Sequence, residues 1–118
     1  MADHLVNYTM DLAADWHHEF KTNLQDTRLH DVNLICHSDG GTRAGSCSAS
    51  AWCLEAVVST NSSSYILPIA MASKFMKDPV SPFTAELIAL DECISYVTEC
   101  VLQEGGSSVT RAGSGSQS

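Results

Sequence analysis

The sequence predicts an α+β fold bordering on α/β, in which a three-stranded antiparallel meander is packed by one long helix and preceded by an amphipathic N-terminal helix. Three observations predict it. Apolar residues recur at intervals of three or four near the N-terminus and again after residue 82, β-rich runs separated by turn residues lie between, and 118 residues suit one domain.

The first helix rests on Leu5, Tyr8, Leu12, Trp16, Phe20 and Leu24 within residues 4–25, an apolar stripe along one face. His17 and His18 beside Trp16 and Phe20 raise the idea of a base-stacking surface, but a helix packing on its own domain accounts for the same residues. Residues 32–39 read as a buried strand stopped by a Gly40-Gly41 turn. From 45 to 58, Cys47, Ala49, Ala51 and Cys53 alternate with Ser48, Ser50, Trp52 and Leu54, the period of a second strand. A third strand over 65–71 contains Pro68, which lacks an N–H for the ladder and so predicts a sheet edge.

Residues 74–82 are a connection, and Ser81-Pro82 supplies an N-cap with proline at the first helical position. Phe83, Leu87, Leu90, Ile94, Val97 and Val101 then form the stripe expected to cover the sheet, with Glu92 and Glu99 outside. The expected organisation is a helical extension over 1–30, a domain over 31–103 and a disordered Gly/Ser-rich tail over 104–118.

Six Lys and Arg against fourteen Asp and Glu give a net charge of −8, which opposes autonomous binding to a phosphate backbone. No signal-like N-terminus occurs, nor an apolar run of the roughly 18 residues that would span a bilayer, so the chain is expected inside the cell, in nucleus or cytoplasm, without a membrane partner. Its five cysteines are an odd number and are expected to be reduced. Zinc would draw on Cys36, His37, Cys47 and Cys53, but no spacing fixes two ligands on one turn, and buried structural cysteines are the expectation.

Two carboxylates stand out. Asp39 ends a buried strand, where an unpaired charge is costly, although Asp is also common at the opening of a turn. Glu86 follows Phe83 by three residues and precedes Leu90 by four, so it borders the apolar stripe, and an acid early in a helix also complements the macrodipole. If the helix packs over the first strand the two converge, and a cation such as magnesium would relieve their repulsion.

The run from Leu34 through Asp39, Gly40, Gly41, Thr42 and Arg43, followed by Gly45 and small residues to Trp52, resembles the opening of a ribonuclease H type 1 domain. Residues 81–90, with Pro82, Ala85-Glu86-Leu87 and Ala89-Leu90, are similar to the first helix of the reverse-transcriptase-associated members. The resemblance covers residues 31–103, the N-terminal half of such a domain, and rests on both motifs at this separation. It implies cleavage of the RNA strand of an RNA–DNA hybrid, in a retroelement polymerase or a cellular relative. In that family, two ions about 3.5–4 Å apart are held by four acids. Asp39 would bridge both ions, magnesium or alternatively manganese. Glu86 would ligate one ion and orient the 2′-hydroxyl that marks RNA, while Gly40, Gly41, Thr42 and Arg43 would approach the RNA backbone.

The family's third and fourth acids have no counterpart in these residues. Asp91 and Glu92 point to other sides of the helix than Glu86, and no strand ending in Asp follows Leu102. The chain alone is therefore expected to be inactive on a hybrid. Two other readings compete: a non-catalytic interaction module binding a protein through the N-terminal helix or an exposed sheet, and a small α+β domain unrelated to nucleases.

Overall fold

A computed structural model describes residues 2–21, 32–61 and 63–101 of the chain. The elements are α1 (Ala2–Leu12), β1 (Trp16–Glu19), β2 (Val32–Arg43), β3 (Cys47–Ser59), β4 (Ser64–Met76) and α2 (Pro82–Tyr96), which passes into a π-helical turn over Val97–Val101. The four strands form one antiparallel sheet in the order β1-β4-β3-β2. The chain is thus a small α+β domain. Among the described residues no helix is long and apolar enough to cross a membrane.

Alternation along β3 sends its side chains to two separate cores. Cys47, Ala49 and Ala51 meet Leu5, Val6 and Met10 of α1 on one face. Trp52, Leu54, Ala56 and Val58 meet Val32, Leu34, Ile69, Ala70 and Cys93 on the other, the face of α2. The helices therefore sandwich the sheet.

The helix expected over residues 4–25 ends at Leu12. Ala13 takes a positive φ of 56° and donates its N–H to the Thr9 carbonyl, a left-handed stop. Asp15 then accepts the Phe75 N–H at 2.8 Å, and Trp16, His17, His18 and Glu19 pair with β4 as a fourth strand. The reason for the error is arithmetic. Leu12, Trp16 and Phe20 are spaced by four, a repeat that suits a helix face and, as a multiple of two, a strand face equally well. Residues 22–25 of the expected helix, and the expected disordered tail over 104–118, lie outside the described residues.

The strand containing Pro68 is not at the edge either, because β1 lies beside it. Pro68 is nevertheless spared a two-sided ladder: β1 pairs only with Ala70 to Ser73, and the β3 register slips at Leu54/Glu55, opposite Pro68. The edge opposite β1 is β2.

Two further expectations fail for one shared reason. The strand does not stop at Gly40-Gly41 but runs to Arg43, and the turn falls at 44–46, where Gly45 supplies the positive φ of 72°. On α2 the first half of the expected stripe is not the buried face, although Ile94 and Val97 are partly buried and Val97 packs against the core. Phe83, Leu87 and Leu90 are 68%, 49% and 41% exposed, whereas Ala85, Ala89 and Cys93 are fully buried. Helix and strand meet through small residues. A Cβ on Gly40 would lie 2.5 Å from the backbone carbon of Ala85 and the backbone nitrogen of Glu86, so this approach is closed to any side chain.

Candidate functional site

The site predicted from sequence depends on where α2 begins relative to β2. Ser81 caps the helix, its hydroxyl accepting the Thr84 N–H at 3.1 Å, and Pro82 starts it. The preceding residue, Val80, is tied to the far end of the β2–β3 hairpin. Its N–H donates to the Ser48 hydroxyl at 2.8 Å, and its carbonyl accepts from the hydroxyls of Ser48 and Thr42. The Thr42 and Ser48 hydroxyl oxygens also lie 2.8 Å apart, so either proton can turn from the Val80 carbonyl to the other hydroxyl. These bonds fix the first turn of α2 over β2, and the Gly40 contact completes the placement.

The backbone of Glu86 consequently rests against Gly40, the residue next to Asp39. The expected packing of the helix over this strand is present. The two side chains, however, lie on different sides of β2. A Cβ on Gly40 would meet α2, and one on Gly41 would lie 2.9 Å from Val6 Cγ1 of α1. Asp39 shares the parity of Gly41, so its half-buried carboxylate departs on the α1 side, while Glu86 is exposed on the α2 side. They therefore lie on opposite faces of the sheet beside its β2 edge strand.

The four residues expected to approach an RNA backbone have internal partners. Gly40 and Gly41 admit the two helices, and Thr42 anchors Val80. Arg43 pairs with Asp11 of α1 at 2.8 Å, an exposed contact of modest strength. None of these partners could be read from local sequence, because Val6, Asp11 and Val80 lie far along the chain.

The donor chemistry of Asp39 and Glu86 fits a hard cation of the magnesium type, which takes one or two carboxylates and fills its remaining positions with water or phosphate oxygens. Among the described residues, no group of three or more His, Cys, Asp or Glu side chains gathers as a metal cage. A cleft of about 350 Å³ lies elsewhere, at the β1 edge, lined by Asp15, Trp16, His17, Lys74 and Glu92 among others. Lys74 and Glu92 pair within it at 3.4 Å.

No protein-family model, curated protein or solved structure matches the chain.

Proposed function

We propose that the chain is the N-terminal half of a ribonuclease H type 1 domain, whose chemistry is magnesium-dependent cleavage of the RNA strand of an RNA–DNA hybrid. The observation that carries the reading is the seating of the Glu86 backbone on Gly40, beside Asp39, on the edge strand β2. The order of three antiparallel strands followed by a helix over the first of them supports it further.

When bound, a magnesium ion would supply Lewis-acid stabilisation of the phosphate and an activated water. Asp39 and Glu86 would be the residues to hold it, and Glu86, the more exposed, would contact the substrate. These residues supply two of the four acids the family uses. The chain by itself therefore binds a divalent ion weakly and does not cleave a hybrid.

Manganese is the probe. Added to isotope-labelled chain, it should broaden the amide signals of Gly40, Ala85 and Glu86 before others, and Asp39→Asn should remove that selectivity. Broadening that ignores these amides, or survives the substitution unchanged, would sink the shared-metal reading. Magnesium-dependent cleavage of a hybrid oligonucleotide by the wild-type chain, lost in Asp39→Asn, would overturn the inactivity of the chain alone.

A second reading, a non-catalytic interaction module, draws support from α2. Its exposed ridge of Phe83, Leu87 and Leu90 is rimmed by Glu86 and Asp91, and residues 82–101 contain no Lys or Arg. Such an apolar strip with an acidic border suits a basic amphipathic partner segment. Insensitivity to manganese, together with self-association or partner capture that Leu87→Lys abolishes, would favour this reading.

A further inference from the structure

We propose that Cys36 of β2 and Cys93 of α2 form a redox-active thiol pair, a modification site at which a hydroperoxide produces a disulfide joining the helix to the strand. This proposal rests on the helix–strand seam and not on the metal reading.

Cys36 lies four strand residues before Gly40 on the same face of β2, a displacement of about 13 Å. Cys93 lies eight helical residues after Ala85, about 12 Å along α2. With Gly40 seated on Ala85, the matched steps bring Cys36 opposite Cys93, and Cys36 packs against the core cluster that contains Cys93. A disulfide needs Cα atoms about 4.4–6.8 Å apart, nearer than large side chains at a helix–sheet interface allow. The small residues Gly40, Ala85 and Ala89 bring the helix close to the strand on the same seam.

A side-chain hydrogen bond links the two thiols, and their exposure separates their roles. The Cys93 S–H donates to the Cys36 sulfur and holds the Cys36 thiol below its ordinary pKa, against the opposing effect of burial. Cys93 is pushed up by the same bond and by burial. Cys36 is half-buried, within reach of a small oxidant, whereas Cys93 is fully enclosed. Cys53 is also pushed up, chiefly by burial, and its position on β3 opposite His37 puts it on the other face of the sheet.

The chemistry balances with a hydroperoxide as oxidant. The Cys36 thiolate attacks one peroxide oxygen, the O–O bond breaks, and the leaving oxygen takes a proton, giving a sulfenic acid and water or an alcohol. The Cys93 sulfur then attacks the Cys36 sulfur. The S–S bond forms, the S–O bond breaks, and the departing hydroxide takes the Cys93 proton as water. The two thiols lose two electrons, and the peroxide gains them.

The test uses the full chain treated with hydrogen peroxide under native conditions. Intact mass should fall by two hydrogens. Digestion with trypsin and chymotrypsin, the latter separating Cys93 from Cys100 after Tyr96, should give a linked Cys36–Cys93 peptide. The linkage should persist in Cys53→Ser. Cys93→Ser should instead leave a Cys36 sulfenic acid that dimedone captures. Closing so long a loop should also raise the melting midpoint on the order of 10 °C. Linkage to any other cysteine, direct over-oxidation of Cys36 without a disulfide in the wild type, or a midpoint unchanged or lowered by oxidation would each overturn the proposal. The wild-type peptide map decides the matter even if a variant fails to fold.

Discussion

The two faces of the sheet are packed by opposite means. On the α1 face the helix brings large side chains, Leu5, Val6 and Met10, onto Cys47, Ala49, Ala51 and Gly41, with Trp16, Met71 and Phe75 of the sheet at the margin. On the α2 face the sheet brings Leu34, Trp52 and Leu54, and the helix answers along most of its length with Ala85, Ala89 and Cys93, larger residues entering only at Tyr96 and Val97. Core volume can thus be supplied from either partner. Where the helix supplies it, the backbones stand off and flexible side chains fill the gap; where the sheet supplies it, helix and strand backbones nearly touch. The second arrangement tolerates less change, since a backbone cannot rotate out of the way as a side chain can.

Gly40→Ala is the strongest way to break the comparison. Its new methyl would meet the backbone of Ala85 and Glu86 at 2.5 Å, so a loss of about 3 kcal/mol in urea denaturation, or failure to fold, is expected. Met10→Ala on the other face should cost about 2 kcal/mol, the lower range for a buried methionine, because that side chain lies in the interface between α1 and the sheet. Gly41→Ala should cost only about 1 kcal/mol: its methyl meets Val6 Cγ1 at 2.9 Å, a side-chain atom that can move. A Gly41 penalty equal to that of Gly40 would show the two faces to be equally unyielding. The smallest effect is expected for Leu87→Ser on the exposed ridge, within about 0.5 kcal/mol. A loss of several kcal/mol there would mean that the ridge is covered.

Much of this was legible in the sequence. The alternation of Cys47 to Leu54 and the Ser81-Pro82 start were read correctly because each depends on a local rule that tertiary contacts did not override. The glycine pair and α2 were misread because hydrophobic periodicity weighs large residues. Ala85, Ala89 and Cys93 carry little hydropathy, yet their spacing of four, together with a glycine in the partner strand, is the signature of close approach. At the site, Asp39 and Glu86 could be singled out by type and position. The face of the sheet on which each lies could not, since it follows from which helix takes which face. That in turn depended on the strand at Trp16, hidden by its ambiguous spacing.

The β1–β4 pairing has a kinetic consequence. The β2–β3 and β3–β4 hairpins close over short loops, and α2 follows directly, whereas Trp16 must find Ser73 across about half of the chain. Contacts this distant in sequence carry a larger closure entropy, and a four-residue strand returns few ladder bonds for it. The N-terminal arm should therefore dock last and detach first. In native-state hydrogen exchange, amides at β1 should open at lower free energy than those of β3, without passing through global unfolding. Equal protection of the two strands would instead make the arm part of one cooperative unit.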